Sequence, residues 1–243
     1  MIYCLLVTRY LRESHASTHD ANAIALRACA HWYRMTIVTP RVVSLNVGEV
    51  REVQWRGRAV TTGIFKHPVA GRVALRGVNF DGDDQADRTV HGGPDKAVYA
   101  YALEDYDAWR TAEGIDTPPG LFGENLTVQG LDLSSALVGT HWRVGTAVLE
   151  VAQPRLPCFK LGIRMNDAQF PRRFMAMARM GAYLRVVKEG DVGAGDEVQV
   201  VHTPEHGVML RDMVEALDDP EKAASLLRVP RLPPFWREVA ERA

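Results

Sequence analysis

Cysteine is scarce. The 243 residues hold three, Cys4, Cys29 and Cys158, far apart and with no C-x-x-C pair. That spacing argues against a disulfide framework and leaves no cysteine cluster for an iron–sulfur centre; it points to a reducing compartment. Long apolar runs are also missing, so no segment can span a bilayer as a helix. The N-terminal MIYCLLVTRYLRESH starts like a secretion signal, but Arg9, Arg12 and Glu13 interrupt it before an apolar core develops. The chain therefore reads as cytoplasmic. No charge of one sign dominates: the net charge is -1, which gives no global attraction to nucleic acid or to an anionic membrane. No G-x-S-x-G, Walker A or G-x-G-x-x-G pattern occurs. What remains is an ordinary globular composition, 47% hydrophobic and 24% charged.

Three regions differ in pattern. Residues 1–40 are rich in Ala and His and unlike the rest of the chain; ANAIALRACAHWYRM (21–35) predicts a short helix. Met35 then opens a segment that reads like a domain start, so residues 1–34 are expected to be an N-terminal extension, disordered or owed to a misplaced start codon. Residues 41–202 carry short segments rich in Val, Tyr, Thr and Ile between Gly, Pro and Asp turns. VVSLNV, EVQW, AVTTGIF, RVALRG, AVYAYA, ENLTV, HWRV, AVLEVA, YLRVV and EVQVV are the candidate strands. WRGR and RVGTAVLEV read as hairpins. So many short strands with few helices between them predict a mainly β domain, a closed barrel or sandwich rather than a parallel α/β sheet. Short helices are expected at 104–110, after Pro157 and near 174–180. Residues 203–243 predict three short amphipathic helices, with Asp219 capping a helix that starts at Pro220.

Several motifs carry possible chemistry. DGDDQAD (81–87) has four carboxylates, but read as a calcium loop it puts Ala86 where Gly is required and Gly92 where Glu is required. A solvated acidic turn is the better reading for most of these residues. HGGPDKAV (91–98) places Gly92 and Gly93 where backbone N–H groups could form an anion nest, with His91 and Lys96 as further donors. Taken alone, a plain tight Gly-Gly-Pro turn with an incidental His explains it somewhat better. GLFGENLT (120–127) sets Glu124 and Asn125 before an apolar strand, and Asn125 has a donor and an acceptor suited to a heterocycle edge. The pairs His15/His19 and His202/His206 have H-x-x-x-H spacing, but Pro204 breaks the second and neither includes a metalloprotease Glu; both read as chance. In QPRLPCFK (153–160), Arg155 and Lys160 flank Cys158 in a turn stiffened by two prolines. Nearby positive charge favours a thiolate, a soft ligand for transition metals. A buried structural cysteine fits these eight residues just as well.

Taken together, GIFKHPVAG, VNFDGDDQAD, HGGPDKAVYAY, LFGENLTVQGLDLS, RVGTAVLEVAQPRLPCFKL and MGAYLRVVKEGDVGAGDEV, in this order, resemble the MOSC domain, named for the C-terminal domain of molybdenum cofactor sulfurases. The resemblance spans roughly 42–201 and is nearest to the stand-alone bacterial type that reduces N-hydroxylated bases. It implies a MOSC-type β-barrel with short helices and a three-helix C-terminal extension. It also implies that the molybdenum cofactor (molybdopterin) is bound, with Cys158 as the thiolate ligand to molybdenum. His91, Asn125 and Arg155 match the family's motifs. Lys66 and Arg155 suit the cofactor phosphate; Asn125 with Glu124 suits the pterin edge; His91 suits proton transfer or substrate orientation. The implied activity is reduction of a small N-hydroxylated molecule, N–OH to N–H, with electrons from a separate reductase. A carrier module for the cofactor, or a persulfide carrier on Cys158, is the alternative without turnover. A pyridoxal-phosphate domain and a cofactor-clamping N-terminal domain are expected to be absent, so the barrel or a second subunit of a homodimer would hold the phosphate. The sequence departs from the family at Gly139-Thr140, where Gly-Asp is usual.

Overall fold

The computed structural model describes residues 39–86 and 92–243. The helix expected over 21–35, the His15/His19 pair, Cys4, Cys29 and His91 lie outside the described residues. The frame is an eight-stranded mixed sheet made of β1 (Arg41–Val47), β4 (His67–Pro68), β7 (Val98–Ala102), β8 (Leu126–Gln129), β9 (His141–Val144), β10 (Ala147–Pro154), β11 (Ala182–Lys188) and β13 (Val198–His202). Its order is β13-β9-β10-β11-β7-β8-β1-β4. Only the β7/β8 pair is parallel. Two small sheets flank it: β2 (Arg51–Trp55) with β3 (Arg58–Thr62), and β5 (Arg72–Arg76) between β6 (Asn79–Phe80) and β12 (Gly190–Gly193). All ten candidate strands overlap an observed strand; the very short β4, β6 and β12 have no periodicity to read.

Local chemistry explains the elements that were legible. The central VYAYA of β7 is buried along its whole length, so it shows no alternation. The β2–β3 hairpin turns through Arg56 (φ 51) and Gly57 (φ 75), the two left-handed positions that a two-residue hairpin of matching twist requires.

The expected closed barrel is not formed as a continuous ladder. β1 meets the start of β13 through one isolated antiparallel bridge, Arg41 to Glu197. Three backbone bonds add to it: Val42 N–H to Asp196 O at 2.8 Å, Gly195 N–H to Val42 O at 2.8 Å and Val198 N–H to Pro40 O at 2.7 Å. The register of β1 against β8 shifts between Val42 and Ser44, and the far end of β1 pairs with β4 instead. The strand therefore bends away before a longer ladder to β13 can form. The result is an open sheet with a short seam.

Two apolar clusters cover the sheet. One joins Leu149, Val151 and Leu184 to the C-terminal helices α4 (Leu210–Glu215), α5 (Pro220–Ser225) and α6 (Pro234–Glu241) through Met213, Ala223 and Trp236. The Asp219 carboxylate caps α5, accepting from Glu221 N–H at 2.9 Å and Lys222 N–H at 3.1 Å. Trp236 is fully buried and its indole N–H reaches Gln153 Oε1 at 3.0 Å, tying α6 to β10. The other cluster is aromatic. Phe122 sits among Tyr101, Tyr106, Trp109, Phe170 and Phe174 at ring separations of 5.0 to 5.7 Å. It draws on α1 (Leu103–Glu113) and α3 (Phe170–Met177), with α2 (Phe159–Arg164) leading into it.

Candidate functional site

Strand β10 delivers the cysteine. It ends at Pro154; Arg155, Leu156 and Pro157 follow outside any regular element, and Cys158 (φ -126, ψ 173) is the cap residue of α2. A proline on either side of Arg155-Leu156 narrows the backbone choices there. Gln153 fixes the stretch from behind, donating to Asp95 O at 3.1 Å while it accepts from Trp236. Cys158 is a half-buried free thiol that lines a cleft of about 640 Å³. Lys66, Asp83, Asn125, Arg155 and Lys160 line the same cleft, over a floor that includes Tyr99 and Phe122.

Arg155 is the cation that stands out. It is only 5% exposed, and its Nη1 is buried without a hydrogen-bond partner. Its guanidinium lies over the rings of Tyr99 and Phe174, 5.7 and 5.4 Å from their centres. Burial works against its charge, but Tyr99, Tyr183 and Cys158, when ionised, more than offset this and raise its pKa. No carboxylate pairs with it in any hydrogen bond or ion pair among the described residues. A buried guanidinium with an unmet N–H is costly in an empty cleft and suited to an anionic ligand.

Lys66 is different: it is ion-paired to Asp83. Burial lowers its pKa, and the Asp83 charge opposes that shift. Asp83 also accepts from Gly48 N–H at 2.9 Å and from Asn125 Nδ2 at 2.8 Å. Its side chain is 3% exposed, so this member of the acidic run is an exception to the solvated-turn reading and acts as an internal brace. Asn125 lines the cleft with its amide already engaged. Oδ1 accepts from Tyr99 N–H at 3.1 Å, and both amide hydrogens are taken, by Asp83 and by Asn46 O at 3.3 Å. Close packing permits this: a side chain on Gly63 would press into Asp84 O at 2.5 Å, and one on Gly123 (φ +82) into Ile64 at 2.8 Å.

A family model described as "MOSC domain" matches residues 87–199. The Bacillus subtilis (strain 168) protein YflK, described as uncharacterized, is 37% identical over 170 residues, which cover 70% of this chain and 77% of that protein. This chain belongs to the MOSC domain family. The Escherichia coli K12 protein YiiM is 34% identical over 145 residues, 58% of this chain and 64% of YiiM. A Gibberella moniliformis protein named "Reductase" is 30% identical over 177 residues, 70% of this chain but only 31% of that protein. The crystal structure of YiiM from Geobacillus stearothermophilus superposes with a TM-score of 0.69 at 29% identity, covering 84% of this chain and 98% of that one. MOSC membership connects the chain to molybdenum-cofactor chemistry.

The remaining assignments separate on the structure. Glu124 is fully buried and does not line the cleft. It accepts from Tyr106 OH at 2.7 Å, Gly120 N–H at 2.6 Å, Thr127 Oγ1 at 2.8 Å and Phe122 N–H at 3.2 Å. Burial raises its pKa against the pull of those donors. Glu124 braces the 120–125 loop that carries Asn125. Gly92 and Gly93 do not line the cleft either, and the Gly93 N–H of the expected nest is taken by Gln85 Oε1 at 3.0 Å. Gln85 in turn donates to Lys96 O at 3.1 Å. Asp83, Gln85 and Tyr183 are the residues that sequence patterns missed. The first two looked like surface turn residues, and Tyr183 like an ordinary strand residue.

These residues fit the family's cofactor. A free cysteine sulfur and a buried guanidinium with one unpartnered nitrogen line one cleft, and the molybdenum cofactor presents both a thiophilic metal and a phosphate anion.

Proposed function

We propose that this chain is a molybdenum-cofactor-dependent reductase of small N-hydroxylated compounds. The observation that carries the reading is the Arg155 Nη1, buried and unpartnered, in the same cleft as the free Cys158 thiol. Cys158 would hold the metal, and Arg155 would take the cofactor phosphate by charge-assisted hydrogen bonds. When bound, the cofactor supplies two-electron, oxygen-accepting redox chemistry that turns N–OH into N–H and water, with two electrons and two protons consumed. A separate reductase supplies the electrons. The Lys66–Asp83 pair contributes no net charge, so its part is to hold the wall of the cleft and Asn125 in place. Tyr99 and Phe122, both buried, back the cleft with aromatic packing and hold its wall rigid. The residue assigned from the sequence to proton transfer or substrate orientation is His91.

The test is expression in a cofactor-competent host, followed by metal analysis of wild type beside Cys158→Ser. Molybdenum in the wild type, its loss in the variant, and reduction of an N-hydroxylated purine with a supplied electron source are expected. Equal molybdenum in both would remove Cys158 as the ligand. Cofactor retained without turnover would make the chain a carrier, and a persulfide on Cys158 without molybdenum would make it a sulfur carrier.

A further inference from the structure

A second cleft, of about 440 Å³, opens where the β9–β10 hairpin and the end of β13 meet the chain before α6. Gly139, His141, Glu150, His202, His206 and Arg231 line it. Three imidazoles around a carboxylate suggest a metal at first sight. Two observations point the other way.

The first is the protonation of His206. Its Nδ1 accepts the Val208 N–H at 3.0 Å, so the neutral ring must carry its own proton on Nε2. That Nε2–H is buried and has no partner. A histidine that ligates a metal shows the reverse pattern, with a bare nitrogen on the metal and the other N–H donating. The second observation is the state of Glu150. It is 4% exposed, and its oxygens already accept from Arg185 and from Arg231 Nη1, the latter at 2.9 Å, with His141 Nε2 at 3.5 Å. Two guanidiniums against the carboxylate would repel a metal cation. Among the described residues no group of His, Cys, Asp or Glu is arranged to hold a metal ion.

What the cleft offers is donors. His206 lines it with its Nε2–H buried and unsatisfied near the Gly139 wall, the His141 and His202 rings lie 4.9 Å apart beside it, and Arg231, 66% exposed, can turn its guanidinium to a ligand while Arg185 keeps Glu150 compensated. An unmet buried donor beside an arginine calls for an acceptor-only ligand carrying negative charge. We propose that this cleft is a second binding site, separate from the Cys158 cleft, for a small oxyanion: inorganic phosphate or the phosphate of a monoester.

Histidine-ring NMR of the full chain, selectively ¹⁵N-labelled on histidine, tests this. Inorganic phosphate and glycerol phosphate are titrated in separate arms, and the tighter one identifies the source. A saturable shift of the His206 ring signals at millimolar ligand is expected. Arg231→Gln should weaken it about tenfold, the size of one charge-assisted hydrogen bond. His206→Phe keeps an aromatic ring, slightly larger, and removes the donor; in the folded variant the shift at His141 and His202 should weaken likewise. Arg155→Met should leave the His206 response unchanged, because that arginine lines the other cleft. No saturable shift at His206, unchanged affinity in folded Arg231→Gln, or loss of the response in Arg155→Met would each overturn the proposal. None of these readouts depends on bound molybdenum, so the reductase reading can fail while this one stands.

Discussion

Two arginines in this protein are almost equally buried and differ in everything else. Arg185 is 4% exposed and Arg155 is 5% exposed. Arg185 has each nitrogen engaged: Nε on Asp95 at 2.5 Å, Nη1 on Glu150 and Nη2 on Arg231 O at 2.7 Å. Arg155 has aromatic rings, no carboxylate and an orphaned Nη1. A saturated buried cation organises the fold around itself. An unsaturated one facing a cleft destabilises the empty protein and stabilises whatever anion enters. The contrast sets a cation whose partners are all within the fold beside one with a nitrogen left over, the one proposed to take the cofactor phosphate.

The largest effect should come from breaking the saturated side. Arg185→Met leaves Glu150 short of its buried partner and is expected to cost about 3–5 kcal/mol in urea unfolding. Arg155→Met should do the opposite. Metal-free protein should keep its stability to within about 1 kcal/mol, or gain, while cofactor content in a cofactor-competent host collapses. Equal losses of stability in the two variants would erase the distinction.

Glu124 provides a buried carboxylate to set beside the arginines. Glu124→Gln points an amide at backbone donors and should cost about 1–3 kcal/mol. Its pH dependence has a definite sign. The folded-state pKa is raised, so the folded chain keeps a proton that the unfolded chain gives up. Its contribution is fully present below the unfolded value near 4.5 and is lost as pH rises through the folded value. Unfolding free energies measured upward from acid pH should therefore decline less steeply in the Gln variant than in wild type. The smallest effect belongs to an exposed arginine. Arg242 pairs with Glu238 at 3.1 Å, with 78% and 63% of the side chains exposed, and Arg242→Ala should leave the melting temperature unresolved from wild type.

Local features were legible before any coordinates. The WRGR hairpin needed only Gly57 and its flanking alternation, and the start of α5 needed only Asp219-Pro220. The stretch around Cys158 was legible as stiff and cationic, because prolines and flanking charges are local facts. Asp83 was not legible: four acidic residues in seven look alike, and only the approach of Lys66, Gly48 and Asn125 selects one of them for burial. Asn125 and Glu124 lay in one motif and looked equivalent. The fold turns one toward the cleft and the other into the aromatic cluster.

The sequence by itself determined the mainly β character, the turns and caps, the family and the identity of the candidate thiol, since each depends on residues within a few positions or on ordered motifs. Tertiary structure alone decided which charges meet. Arg185 finds Glu150 across 35 residues and Asp95 across 90, whereas among the described residues Arg155 meets aromatic rings and no carboxylate. It also brought His141 to His202 and left His206 Nε2 unmatched. The open seam between β1 and β13 belongs with these, because a strand's bend and its choice of neighbour depend on partners far along the chain. Burial and charge pairing are properties of what surrounds a residue, and only the assembled fold supplies the surroundings.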